Sequence, residues 1–128
     1  MRSYLFLLLC AVFMFSCKDD EEIPILEEDY GRGMYIVTDL GISYFDYKDS
    51  NAVVKNQIYE SVNNTSIVNP KSIELYGNKA YIVGNKIYAV DINTFILEGE
   101  VSDFSNSVYC DMIYDNRLLV ADRGESLV

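Results

Sequence analysis

The chain of 128 residues contains no histidine. Histidine is the commonest general base and a frequent zinc ligand, so histidine-dependent triads and metal sites are excluded from this sequence. Positive charge is also scarce, with 10 basic residues against 20 acidic ones and a formal net charge of −10. A chain this acidic repels phosphate backbones and anionic headgroups, which argues against nucleic acid as a partner.

Long apolar runs are limited to the start of the chain, where Tyr4 to Phe15 follows a single arginine. This run is shorter than the roughly 20 residues of a membrane-spanning helix, so residues 1–16 are predicted to be a signal peptide. Small Ser16 directly precedes Cys17, and the pattern resembles a bacterial lipobox. Cys17 is therefore predicted to carry a lipid anchor; an ordinary secretory signal that is cut elsewhere is the alternative.

The other two cysteines carry little chemistry in this interpretation. Cys10 follows Leu9, a poor residue before a cleavage site, and it leaves with the signal peptide. Cys110 is then the only thiol, so no intrachain disulfide can form. Cys110 is predicted to be a small buried apolar residue rather than a nucleophile.

The composition changes from apolar to acidic directly after Cys17. The segment resembles the signal that sends lipoproteins of Bacteroidetes-type bacteria to the cell surface, and a solvated acidic spacer is the alternative. Its residues are Lys18, Asp19, Asp20, Glu21 and Glu22. Residues 17–32 have little to bury and are predicted to form a disordered tether. The expected location is the outer membrane surface, with membrane contact through the lipid anchor only.

Residues 33–128 alternate short β-rich runs with turn residues, and no window shows a helical period. β-branched and aromatic runs bounded by Gly, Asn and Asp are typical of strands, so the predicted fold class is all-β. The expected strands are Met34–Thr38, Ile42–Tyr47, Ala52–Tyr59, Lys71–Tyr76, Ala80–Val83, Lys86–Ile92, Phe95–Val101, Cys110–Tyr114 and Leu118–Ala121.

Two segments of the β-rich region recur along the chain. Ile42–Asp46 matches Ile87–Asp91 at an offset of 45 residues, and Tyr76–Val83 matches Tyr114–Ala121 at an offset of 38. Spacings near 40 are typical of four-stranded β-propeller blades. The chain would hold about two and a half blades, too few for a closed ring. We therefore expect an N-terminal fragment of a longer protein; a complete small all-β domain is the alternative.

The turn residues have structural interpretations. Gly77-Asn78 and Asp115-Asn116 accept positive φ, as hairpins between twisted strands require. Asp46 and Asp91 each close a strand, where a carboxylate can accept backbone hydrogen bonds from the next turn. The oxygen side chains within residues 46–51 could also surround a calcium ion, but a strand-ending turn explains them equally well.

The resemblance to a known family is carried by three segments, ISYFDYKDSNAVVKNQIYESVN, SIELYGNKAYIVGNKIYAVDINTF and DNRLLVADRG. They resemble the N-terminal blades of YncE-like seven-bladed propellers, and in particular a branch carried as surface lipoproteins by Bacteroidetes. That branch is matched at Lys79–Val83, Ile87–Asp91 and Thr94-Phe95. The resemblance implies a non-enzymatic module that needs no cofactor. Such a module captures a small molecule or glycan, or partners a TonB-dependent transporter. A propeller enzyme, such as a lactonase or a quinoprotein-like dehydrogenase, is the alternative.

In such a propeller, one face collects the loops Ser61–Asn69 and Ser102–Val108 and the turns around Asp39, Asn85 and Arg123. Loops at one face of a rigid scaffold are where ligand contacts are expected. The candidate ligand-facing residues are Asn63, Asn64, Asn85, Ser105, Asn106 and Arg123. No catalytic or metal-binding residue is predicted.

Overall fold

The structure, a computed structural model, describes residues 29–124. Its elements are β1 (Met34–Thr38), β2 (Gly41–Phe45), α1 (Ile58–Asn63), β3 (Ser72–Tyr76), β4 (Lys79–Val83), β5 (Ile87–Asp91), β6 (Leu97–Val101), β7 (Ser107–Ile113), a 3₁₀ turn (Tyr114–Asn116) and β8 (Arg117–Asp122). Strands dominate the described part of the chain, which confirms the all-β class. None of its helices is long and apolar enough to cross a membrane.

The strands form three antiparallel sheets. Sheet 1 is β1–β2, sheet 2 is the meander β3–β4–β5–β6, and sheet 3 is β7–β8. Tyr76 pairs with Lys79, so Gly77-Asn78 forms a two-residue hairpin turn, as predicted. Gly77 has the predicted positive φ, at 61°, whereas Asn78 does not. Every strand pairs only with strands adjacent to it in the sequence.

The hairpin of sheet 3 has a longer turn than expected. Ile113 pairs with Arg117, so three residues rather than two connect β7 and β8. Asp115 and Asn116 have φ values of 65° and 56°. The predicted positive φ at both positions is therefore confirmed. The turn also includes Tyr114, which was predicted to be the last residue of the strand.

Sheet 2 is covered by another sheet on each side. Its side chains alternate between the two faces, so neighbouring residues of a strand belong to different clusters. Ala80 and Ile82 of β4 belong to the apolar cluster that joins sheet 2 to sheet 1. Val83, with Tyr81 beside it, belongs to the cluster that joins sheet 2 to sheet 3 around Cys110. The three sheets are therefore stacked face to face, with sheet 2 in the middle.

Aromatic side chains fill the space between sheets 1 and 2. The ring of Tyr30 lies 5.2 Å from that of Tyr44 and 5.7 Å from that of Phe95, edge-on to both. The ring of Tyr35 stacks on Phe95 at 5.7 Å. Tyr30 is only 2% exposed, although residues 17–32 were predicted to form a tether. The packed part of the chain thus begins before Gly33.

The predicted strand Ala52–Tyr59 is wrong over most of its length. Only Lys55 pairs with β2, through a single antiparallel bridge. Gln57 then adopts a left-handed φ of 53°, which ends the extended backbone, and α1 follows. Ile58 and Tyr59 are 1% and 2% exposed. In a strand, neighbouring side chains point to opposite faces, so Ile58 and Tyr59 would not both face the same core. A helical turn allows both side chains to be buried.

Hydrogen bonds reproduce the repeat of 45 residues. The Asp46 carboxylate accepts a 2.9 Å bond from the Lys48 N–H, and the Asp91 carboxylate accepts one of 2.9 Å from the Asn93 N–H. Asp91 also accepts from the Thr94 N–H at 2.9 Å. The strand-ending aspartates therefore cap their turns, as predicted. The bond from the Thr94 N–H is the largest cause of the lowered pKa of Asp91.

Candidate functional site

The loops that were predicted to face a ligand meet at one end of the stacked sheets, here named the Asn85 end. The Asn85 N–H donates to the Val68 carbonyl at 2.9 Å. The Arg123 N–H donates to the Asn106 carbonyl, also at 2.9 Å. Both partners in the second bond lie 38 residues after those in the first. The two loops therefore pack alike in sheets 2 and 3.

The turn of sheet 1 lies at the same end. The Gln57 side-chain amide donates to the Leu40 carbonyl at 3.2 Å, which ties the β1–β2 turn to the start of α1. Ser66 and Ile67 complete a cavity of about 10 Å³ there. A volume of this size holds about one water molecule. This part of the Asn85 end is therefore closed to a larger ligand.

Asn63 and Asn64 end α1, and each has a structural role. The Asn63 amide nitrogen donates to the carbonyls of Tyr59 and Phe95, both at 2.9 Å. Its amide oxygen accepts from the Leu97 N–H at 2.8 Å. Asn64 caps the helix in the left-handed region, with a φ of 53°. The side chain of Asn63 is thus used to join α1 to sheet 2.

Polar groups at the Asn85 end hold the loop that precedes β7, both from the start of β3 and from the end of β8. The Lys71 ammonium donates to the Asn106 amide oxygen at 3.0 Å and to the Ser107 carbonyl at 2.8 Å. The backbone N–H groups of Ser105 and Asn106 donate to the Asp122 carboxylate at 2.9 and 2.8 Å. These bonds fix the loop that precedes β7.

The Asp122 carboxylate acts as a turn cap. Its desolvation would raise its pKa, but bonds from the backbone N–H groups of Asn106, Ser105 and Gly124 outweigh that effect. The pKa of Asp122 is therefore lowered, and the group stays charged at neutral pH. A carboxylate held in this form is a poor general acid.

Asn85 and Arg123 are the other two predicted ligand-facing residues, and both are exposed. The Asn85 amide oxygen accepts a 2.7 Å bond from the Tyr88 hydroxyl. The Arg123 side chain makes no hydrogen bond or ion pair with any residue from 29 to 124. Arg123 is thus the positive group at the Asn85 end that is most open to a partner.

Two groups of predicted residues require separate mention. Cys17 and the segment of residues 18–22 lie outside the described residues, so the anchor and the export signal stay predictions. Cys110 is fully buried and unpaired, and burial raises its pKa to about 11. The prediction of a small buried residue at position 110 is confirmed.

At the opposite end of the strands, here named the Asn78 end, backbone bonds join two turns of sheet 2 to each other and the segment before β1 to sheet 2. The Ile92 N–H donates to the Asn78 carbonyl, and the Tyr30 N–H donates to the Asn93 carbonyl, both at 2.9 Å. Two open grooves lie at this end.

The first groove is acidic and has a volume of about 410 Å³. It is lined by Asp29, Tyr44, Asp46, Asp49, Asn51, Ala52, Val53, Val54 and Lys55. The Asp49 carboxylate accepts a 2.9 Å bond from the Asn51 N–H, so it caps a turn as Asp46 does. Between residues 29 and 124, no group of three or more His, Cys, Asp or Glu side chains is placed to hold a metal ion. The calcium alternative therefore gains no support.

The second groove lies between the hairpins of sheets 2 and 3 and has a volume of about 300 Å³. It is lined by Tyr76, Gly77, Asn78, Lys79, Tyr81, Met112 and Asn116. The Tyr76 hydroxyl donates to the Asn116 amide oxygen at 3.0 Å. We name this opening the tyrosine groove. The sequence interpretation missed it, although the pattern Tyr-x-Asn at both hairpin turns is a signal that could have found it.

The two ends of the sheets differ in what they offer a ligand. The Asn85 end carries most of the predicted contact residues, whereas the Asn78 end carries the wider openings. A comparison with protein-family models gave no match, and no curated protein matched the chain.

Proposed function

We propose that the protein is a lipid-anchored binding module of the outer membrane surface that captures a small molecule or a glycan. The observation that carries this proposal is the pair of open grooves at the Asn78 end, of about 410 and 300 Å³. Ligand sites combine apolar and aromatic surface with a few placed polar groups. The tyrosine groove has such a lining, and the acidic groove combines Val53 and Val54 with carboxylates. A TonB-dependent transporter is the partner proposed for passing on the ligand.

The proposed scaffold is part of a YncE-like β-propeller. Three stacked antiparallel sheets, of which the middle one is a four-stranded meander, support this proposal. The turn-capping bonds of Asp46 and Asp91 support a repeating unit, since they recur at an offset of 45 residues. The tyrosine groove would then lie between neighbouring blades and open at one face of the ring.

Two aspartates of the turns, Asp91 and Asp122, favour binding over catalysis. General acid–base chemistry near neutral pH uses carboxyl groups whose pKa is raised. The pKa values of Asp91 and Asp122 are instead lowered by backbone hydrogen bonds. A propeller lactonase or dehydrogenase is the second candidate, and the acidic groove is the feature that would serve it.

Substitution of the predicted anchor tests the location. Cys17→Ala should abolish incorporation of radiolabelled fatty acid into the full chain, because the thiol that would carry the diacylglyceryl group is gone. Cys10→Ala is the matched control and should be labelled like the wild type. Continued labelling of Cys17→Ala would contradict the anchor.

The export signal needs a separate test. Replacement of Asp19, Asp20, Glu21 and Glu22 by alanine should protect the lipidated protein from protease added to intact cells. The fatty-acid label should persist in this variant, which separates export from anchoring. Unchanged cleavage would leave only a spacer role for the acidic residues.

A further inference from the structure

The tyrosine groove is built by the repeat itself. Tyr76 and Asn78 belong to the β3–β4 hairpin, and Tyr114 and Asn116 occupy the equivalent places 38 residues later. The bond from the Tyr76 hydroxyl to the Asn116 amide oxygen spans the two hairpins at 3.0 Å. Two neighbouring sheets therefore form the walls, and a hydrogen bond joins their hairpins.

The walls of the groove present aromatic surface to solvent. The side chain of Tyr76 is 47% exposed, and Tyr81 is partly buried beside it. Gly77 follows Tyr76 at the turn, and a Cβ atom there would meet nothing within 4 Å. Tyrosine combines a flat apolar ring with a polar hydroxyl, so it suits ligands that have both kinds of surface. A sugar ring is such a ligand, with C–H groups on its faces and hydroxyls at its edge.

The polar groups of the groove suit hydroxyl partners. The Asn116 amide nitrogen and the whole Asn78 side-chain amide form no hydrogen bond with residues 29–124. An amide both donates and accepts, as a sugar hydroxyl does. Such groups can therefore bond a hydroxyl in either direction.

The charges around the groove favour a neutral ligand. The Lys79 ammonium pairs with the Glu98 carboxylate, and this hydrogen bond raises the pKa of Lys79. No aspartate or glutamate lines the groove, so a cationic ligand finds no counter-charge there. The net charge of −10 disfavours an anionic ligand.

We propose that the tyrosine groove is a subsite for neutral carbohydrate, in which Tyr76 packs against a sugar ring and Asn78 and Asn116 bond its hydroxyls. This assignment rests on the proposed binding function and adds the ligand class and the residues.

The test measures binding of neutral hexasaccharides of glucose, xylose and mannose to the purified full chain in detergent, by titration calorimetry. Tyr76→Ala should weaken the binding of whichever hexasaccharide binds best by about tenfold or more, as expected for a central aromatic contact. Tyr76→Phe keeps the ring and should lose about threefold or less. Tyr114→Ala is the matched control, since Tyr114 is 91% exposed and does not line the groove.

Several outcomes would overturn the subsite. These are the absence of neutral hexasaccharide binding, equal losses in Tyr76→Ala and Tyr114→Ala, or tighter binding of an oligogalacturonate, which is anionic. Circular dichroism of each variant separates lost binding from lost folding. The lipid-labelling and protease tests use no carbohydrate, so failure of the subsite and failure of the surface location are distinguishable.

Discussion

Single polar side chains satisfy much of the irregular backbone of this protein. Asn63 is an example, because its one amide group bonds two carbonyls and one N–H. Leu97 is the first paired residue of β6 and stands next to a register shift between β5 and β6. Phe95 itself has a positive φ of 61° and is fully buried. A backbone of this shape cannot satisfy its own polar groups by regular pairing.

Asn63→Ala should lower the free energy of unfolding by about 1–3 kcal/mol, since it leaves partly buried backbone groups without partners. Urea unfolding followed by circular dichroism would measure the change. Asn51→Ala, on an exposed turn, is the control and should lie within about 0.5 kcal/mol of the wild type. Equal stability of the two variants would show that the bonds of Asn63 are not structural, and the ligand-contact role would regain support.

At the scale of elements, the strands could be predicted because alternation and turn residues agree. Every expected strand from Lys71 onward is present, with ends shifted by a few residues at most. Ala52–Tyr59 failed because burial of two neighbouring side chains, Ile58 and Tyr59, overrides the strand propensity of that run. Such an override depends on what packs against the run, which the local sequence does not contain.

The candidate site was less predictable than the strands. The bond between Tyr76 and Asn116 joins residues 40 positions apart. The tyrosine groove exists only because sheets 2 and 3 stack with their hairpins side by side. Strand patterns predict each hairpin separately but not the width of the space between two of them.

The turn after β5 leads to a prediction about pH. The ordinary pKa of Asp91 is 3.8, and backbone bonds lower it in the folded state, the Thr94 N–H first. The contribution of Asp91 to stability is therefore complete above pH 3.8 and is lost as the pH falls through the lowered pKa. Asp91→Ala should reduce the thermal midpoint more at about pH 6 than at about pH 3.

Differential scanning calorimetry at the two pH values would measure this difference. Asp103→Ala removes an exposed carboxylate from the loop after β6 and should change the midpoints little. An equal reduction for Asp91→Ala at both pH values would mean that the bonds to the turn do not depend on its charge.

At the scale of the whole molecule, the outward face of sheet 3 is an open surface that presents three large apolar side chains. Tyr109, Ile113 and Leu119 are 50%, 39% and 59% exposed. At the offset of 38 residues, Leu119 is equivalent to Tyr81, whose face of sheet 2 is covered by sheet 3. The outward face of sheet 3 thus has a large side chain at a position that another sheet covers in sheet 2. An exposed apolar face of this kind favours contact with another apolar surface.

We therefore expect the full chain to self-associate as its concentration rises. Leu119→Lys should weaken this association, because it replaces a large apolar side chain of that face by a charged one. Leu40→Lys is the control, since Leu40 is 78% exposed on the β1–β2 turn and adds the same charge away from that face. Sedimentation velocity over a range of concentrations would measure both. A monomer at every concentration would contradict the expectation.

The pairing of each strand with its neighbour in the sequence has a consequence for the speed of folding. Bringing two strands together costs chain entropy that grows with the length of the loop between them. In sheet 2 these loops are short, so its hairpins can form one after another without waiting for distant segments. We expect this sheet to nucleate the fold, with sheets 1 and 3 condensing on its two faces afterwards.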